Sequence, residues 1–108
     1  MSGNDWSKSY RGAAARAEIG AYFDNCRRLL DDRRIDDAEH SLSRGRWRAA
    51  VDLSGVPSAV IDSTDGLCAD AIGLCEYGDP EAISGVLLKI LDLWHMAPPV
   101  TPRAEQLH

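Results

Sequence analysis

The chain has 108 residues, of which 44% are hydrophobic and 27% charged, and its formal net charge is −5. This length fits one domain, and the composition excludes the disordered, collagen-like and disulfide-scaffold classes. The longest apolar run is interrupted by Lys89 and is far shorter than the ~20 residues that a membrane span needs, so no membrane association is expected. The first residues lack the regions of a signal peptide, and the three cysteines are an odd number, so we expect reduced thiols and a cytoplasmic protein.

The net charge conceals a difference between the two halves of the chain. Residues 1–50 contain ten basic and eight acidic side chains, a sum of +2, whereas residues 51–108 contain two and nine, a sum of −7. Such polarity is typical of a protein with a charged partner, and it is equally compatible with two surfaces that attract each other within one domain.

The segment from about Ser9 to Leu30 has the periodicity of an amphipathic helix. Its apolar stripe consists of Ile19, Tyr22, Phe23, Cys26, Leu29 and Leu30. Gly20 inside it costs about 1 kcal/mol relative to alanine and would allow close packing of a neighbour. Trp6 and Tyr10 precede the stripe, where they either anchor a partner or a second copy of the chain or fold back onto the bundle.

A polar corner at Asp31–Arg34 separates this helix from the next periodic segment. Helical spacing resumes at Ile35, Ala38 and Leu42 and again at Trp47, Ala50 and Val51. Asp36 and Glu39 have the spacing of a capping pair near a helix start. Gly45 and two nearby serines weaken the helix, which favours two short helices forming a corner over one helix with a glycine break.

Glycine and proline divide the second half of the chain into two more helices. The helix-breaking segments are Gly55–Pro57, Gly78–Pro80 and Ala97–Pro99. The first of these helices is predicted to have Asp62 or Ser63 as its N-cap and Gly78 as the left-handed residue after its end. The second is predicted to begin with Asp79 as N-cap and Pro80 at its first position.

Val56–Ile61 is the one segment with strand-forming residues, and it has no strand to pair with, so a short helix or an extended connector is expected. The chain is therefore predicted to be all-α, a compact bundle of four or five helices with short loops. Residues 1–97 form a single helical domain in this prediction, and the Pro-rich residues 98–108 form a flexible, disordered tail.

Motifs of catalysis and metal binding are missing from the sequence. There is no nucleophile elbow, phosphate loop or His-Glu-x-x-His, and the spacing supplies no partner for a histidine acting as general base. Cys68 and Cys75 lie seven residues apart and could converge with Cys26, but free cysteine usually packs as a small apolar residue. We expect no enzyme activity, no cofactor and no metal.

Arginines are concentrated in one short region around Trp47. The candidate binding residues are Arg27, Arg28, Arg33, Arg34, Arg44, Arg46, Trp47 and Arg48. Guanidinium groups bind phosphate and carboxylate in bidentate fashion, and arginine beside an aromatic ring is typical of single-stranded nucleic-acid binding. Neighbouring aspartates could instead neutralise the cluster by local ion pairs.

The second half of the chain supplies a candidate acidic face. Its residues are Asp62, Asp65, Asp70, Glu76, Asp79 and Glu81. They could oppose a basic protein partner and increase the rate and selectivity of association, although solvated helix surfaces have the same composition.

In its small size, acidic charge and lack of catalytic motifs, the chain resembles the anti-CRISPR proteins of phages and mobile elements. The resemblance implies a protein that blocks a CRISPR effector complex by occupying a surface. We therefore expect a non-enzymatic binding or inhibitory module that contacts a protein partner through its charged surfaces, with the segment around Trp47 preferred. The alternative is an accessory protein that binds single-stranded DNA through the arginines and Trp47.

Overall fold

In a computed structural model of the protein, the described residues are 6–51 and 55–95. They form four α-helices, α1 (Tyr10–Asp31), α2 (Ile35–Ala50), α3 (Ser58–Leu74) and α4 (Pro80–Leu93). Two 3-10 turns, Trp6–Lys8 and Cys75–Tyr77, precede α1 and follow α3. No strand occurs in these residues, so the predicted all-α bundle is confirmed, whereas the predicted tail lies outside the described residues.

The helices surround one apolar core. The most extensive contacts join α1 to α2, α2 to α3, α3 to α4 and α4 to α1, so each helix packs between two neighbours. The largest fully buried side chains are Trp94, Phe23, Ile19, Leu42, Ile83, Leu87, Ile90 and Leu91. On α1 and α4 these side chains recur every three or four residues, because one face of each helix is removed from water.

Two helix starts follow the local chemistry of the sequence. The Ser9 hydroxyl accepts a 3.0 Å hydrogen bond from the Gly12 N–H at the start of α1. The Asp79 carboxylate accepts one of 3.1 Å from the Glu81 N–H at the start of α4, and Pro80 occupies the first turn as predicted. Gly78, at φ +65°, takes the predicted left-handed conformation between α3 and α4.

The predicted break at Gly45 is wrong, because α2 runs uninterrupted from Ile35 to Ala50. Gly45 is buried where α1 and α2 approach closely, and a Cβ atom there would lie 2.8 Å from Cε1 of Phe23. The glycine is therefore required by packing between helices, which outweighs its low helix propensity.

The predicted N-caps of α2 and α3 are also wrong. Arg34 occupies the N-cap position of α2. Asp36 therefore does not cap the helix with Glu39 as its partner and instead lies within the first turn. Helix α3 begins at Ser58, upstream of both Asp62 and Ser63. The strand-forming segment before Asp62 is helical from Ser58 onward because its apolar side chains pack against the core.

An aromatic cluster closes one end of the bundle. The Trp94 ring contacts Trp6 edge-on, with centroids 5.4 Å apart, and lies 6.3 Å from Phe23. Its indole N–H donates a 2.9 Å hydrogen bond to the buried Thr64 hydroxyl. Trp6 thus folds back onto the bundle rather than serving as an exposed anchor, whereas Tyr10 is 90% exposed.

Candidate binding surface

Most of the arginines in the predicted binding set are paired with carboxylates of the same chain. The pairs are Arg27 and Arg28 with Asp24 at 2.6 and 3.0 Å, Arg34 with Asp37 at 2.5 Å, Arg46 with Asp65 at 2.7 Å and Arg48 with Glu18 at 2.5 Å. Local ion pairs, which the neighbouring aspartates suggested, therefore engage three of the seven arginines, Arg27, Arg28 and Arg34, whereas Arg46 and Arg48 pair with carboxylates of other helices.

Two of these ion pairs join different helices. Arg48 donates from Nε and Nη2 to both carboxylate oxygens of Glu18, at 2.5 and 2.9 Å, and links α2 to α1. Arg46 donates to Asp65 at 2.7 and 3.4 Å and links α2 to α3. These two arginines help to hold α2 in place, and both guanidinium groups are already occupied.

Arg33 and Arg44 are the members of the set without an ion pair among residues 6–51 and 55–95. Arg33 lies in the turn before α2 and has a left-handed backbone, with φ +59°. Arg44 is exposed on α2, where its charge is available to a partner.

The predicted acidic face is less neutralised than the arginine set. Asp65 pairs with Arg46, but the remaining acidic residues make no ion pair within the part of the chain that the structure describes. They are Asp62 and Asp70 on α3, Glu76 in the 3-10 turn, Asp79 at the N-cap of α4 and Glu81 in its first turn. Each of these five residues is exposed to solvent.

Trp47 is 69% exposed, a large fraction for the largest apolar side chain. It lies at one end of a shallow depression of about 590 Å³ formed entirely by residues of α2. The other lining residues are Asp36, Glu39, His40, Ser43 and Arg44. A second depression, of about 360 Å³, separates Trp47 and Ala50 from Ile72 of α3. We call the six residues of the larger depression the α2 outer face.

The structure separates residues that adjoin in the sequence. Arg46 and Arg48 flank Trp47 in the chain, but Arg46 points to α3 and Arg48 to α1, while Trp47 faces solvent between them. Successive helical side chains differ by about 100° in direction, which accounts for this divergence. Of the lining residues, only Arg44 and Trp47 belong to the predicted binding set, although the spacing of three and four residues along an exposed helix face was a signal for the others.

The ion pair between α2 and α3 has a measurable consequence. The hydrogen bond from Arg46 and, after it, the Arg46 charge hold the pKa of Asp65 below its ordinary value of 3.8. We expect NMR titration to place the Asp65 midpoint below 3.8, and Arg46→Met to return it toward 3.8. A lowered pKa stabilises the fold above the pKa of the unfolded chain, and this contribution disappears as the pH falls through the folded value. Arg48→Met is the matched control, and an equal shift in that variant would contradict the assignment to Arg46.

The cysteines of the described residues are shielded from solvent. Cys26, Cys68 and Cys75 are buried free thiols, and burial raises the pKa of Cys26 and of Cys68 to about 12, which suppresses the nucleophilic thiolate. Within residues 6–51 and 55–95, no three His, Cys, Asp or Glu side chains group so as to hold a metal ion. None of the described helices combines the length and apolar character that crossing a membrane requires.

No protein-family model, curated protein or solved structure matches this chain.

Proposed function

We propose that the chain is a non-enzymatic protein-binding module that acts through the α2 outer face. The observation that supports this most strongly is the 69% exposure of Trp47 beside a depression with charged sides. Tryptophan is among the residues most enriched in the energetic centres of protein interfaces, since it buries a large apolar area when covered. Asp36, Glu39 and Arg44 line the same depression and have no ion pair among the described residues, so they can select a partner by charge.

The distribution of charge favours a protein partner over nucleic acid. Asp36 and Glu39 line the same depression as Trp47, and their carboxylates would repel phosphates. Arg46 and Arg48, the two cations beside Trp47 in sequence, are occupied by carboxylates of the chain. Single-stranded DNA binding is thus the less favoured function, and a mobility-shift assay at about 50 and 200 mM salt tests it, because phosphate contacts weaken steeply over that range.

Blocking a CRISPR effector complex is one use of such a module, and it is the use that the anti-CRISPR resemblance implies. A stoichiometric inhibitor needs a rigid scaffold and a complementary surface, and it needs no catalytic group. We expect inhibition of a susceptible purified effector complex to saturate near equimolar protein. Inhibition by trace amounts of the chain would instead indicate an enzyme and contradict this mechanism.

The test of the binding surface compares two exposed aromatic residues. Trp47→Ala is expected to weaken partner binding by about 2 kcal/mol or more, about 30-fold, in isothermal titration or surface plasmon resonance. The partner for these titrations is first identified by tagged pull-down from the native host and mass spectrometry, and then purified.

Tyr77→Ala is the matched control, because Tyr77 is 78% exposed, lies in the 3-10 turn after α3 and lines neither depression that contains Trp47. Both substitutions are at the surface and should change the free energy of unfolding by no more than about 0.5 kcal/mol. Equal affinities for Trp47→Ala and the unmodified chain would contradict the proposed surface.

A further inference from the structure

The residues of the α2 outer face are arranged symmetrically along the helix. About the midpoint between positions 41 and 42, they form three equidistant pairs, Asp36 with Trp47, Glu39 with Arg44 and His40 with Ser43. When a second copy of α2 lies antiparallel on this face, each lining residue of one copy is therefore opposite a lining residue of the other copy. Such self-complementarity is the requirement for a twofold interface between identical chains.

The charges of this face follow the same symmetry. Its acidic residues, Asp36 and Glu39, lie in the N-terminal half of α2, and its arginine, Arg44, lies in the C-terminal half. Antiparallel contact places the acidic half of one copy over Arg44 of the other, twice by symmetry, whereas parallel contact would oppose like charges. None of the three residues has an ion pair among the described residues, so these charges are available for pairing across the interface.

Side-chain size and type also suit a second copy. Ser43 near the middle of the face is small, which permits the 8–10 Å separation of helix axes at which side chains interlock. Trp47 at the end of the face would cover the first turn of the other α2. Arg33, a cation without an ion pair among the described residues, lies in the turn that precedes this α2.

We propose that two copies of the chain associate antiparallel through the α2 outer face, about a twofold axis near the middle of the helix. This inference rests on the proposed function, because it names the occupant of the same surface. The 16 residues of α2 extend over about 24 Å. A contact confined to one helix of this length lies at the low end of specific interfaces, below about 1,200 Å² in total, so the dimer exchanges with monomer in solution.

Sedimentation velocity from micromolar to millimolar protein tests the inference with two complementary variants. The unmodified chain is expected to shift from monomer to dimer as its concentration rises. Arg44→Glu alone and the double variant Asp36→Arg with Glu39→Arg are each expected to stay monomeric, because each opposes like charges. An equimolar mixture of the two variants is expected to form a heterodimer. In it, the acidic residues of the first variant face the basic residues of the second in both halves of the interface.

Asp70→Arg is the matched control, because it reverses an exposed carboxylate of α3 outside the interface and should leave dimerisation unchanged. Circular dichroism establishes that each variant retains its helical content. A chain that is monomeric at every concentration, a mixture that fails to form the heterodimer, or equal weakening by Asp70→Arg would each overturn the inference.

Trp47→Ala separates this inference from the proposed function. If the unmodified chain is monomeric and Trp47→Ala loses binding to a purified heterologous partner, the dimer is overturned and the binding surface is retained. If Trp47→Ala changes neither self-association nor partner binding, both proposals are overturned. If it abolishes self-association, the dimer through α2 is supported.

Discussion

Replacing Trp94 with alanine is expected to lower the free energy of unfolding by about 3–5 kcal/mol, the range measured when large buried aromatic residues are truncated. Trp94 is fully buried, packs against Trp6 and Phe23, and ends α4. Its removal leaves a cavity between α1, α3 and α4 and deprives the Thr64 hydroxyl of its donor. Because small domains are stable by only about 5–15 kcal/mol, this single change removes a large share of the total.

Trp94→Phe separates the packing of the ring from its hydrogen bond. The smaller aromatic ring retains most of the buried contacts and loses the 2.9 Å bond to Thr64, so the expected loss is about 1–2 kcal/mol. Urea unfolding followed by circular dichroism measures both variants without dependence on tryptophan fluorescence. A loss below about 1 kcal/mol for Trp94→Ala would contradict the central position of this residue in the core.

Gly45→Ala is expected to destabilise the protein by about 1–3 kcal/mol, although the same change in an open helix stabilises it by about 1 kcal/mol. The added methyl group would lie 2.8 and 3.1 Å from two ring carbons of Phe23 and 3.2 Å from Cβ of Tyr22. The Phe23 ring is fully buried in the core, so any movement of it also requires its packed neighbours to shift. Steric overlap therefore exceeds the gain in helix propensity.

Gly73→Ala is expected to change the stability of the same protein in the opposite direction. Gly73 is an exposed residue of α3, and nothing lies within 4 Å of a Cβ atom at that position. The substitution is expected to stabilise the fold by about 0.5–1 kcal/mol through helix propensity. Thermal unfolding of the two variants should thus give shifts of opposite direction. Stabilisation by Gly45→Ala would show that α1 and α2 approach less closely than described.

Local chemistry made parts of the fold predictable. The stripe of α1, the Asp79 N-cap with Pro80, and Gly78 follow from side chains within a few residues of one another. The N-caps of α2 and α3 were mispredicted because apolar side chains that precede the favourable capping residues pack against the core, so the helices begin upstream of those residues. Propensity amounts to about 1 kcal/mol per residue, which burial of several apolar side chains exceeds.

The candidate surface was only partly predictable for a related reason. Sequence placed Trp47 among cations, but Asp65 is 19 residues from Arg46 and Glu18 is 30 residues from Arg48, so their pairing depends on how the helices pack. No periodicity within α2 indicates which of its arginines a distant carboxylate will occupy. The exposure of Trp47 likewise depends on which sides of α2 are covered by α1 and α3.

By itself, the sequence determined an all-α domain with amphipathic helices, because the period of apolar residues and the capping side chains act over one or two turns. Only the tertiary structure decided that α2 is continuous through Gly45, that most of the arginines are neutralised, and that Trp47 remains exposed between them. These outcomes depend on contacts between residues far apart in the chain. The ion pair of Arg46 and Asp65 thus joins the basic half of the chain to the acidic half, while Asp36, Glu39 and Arg44 of the α2 outer face have no ion pair among the described residues.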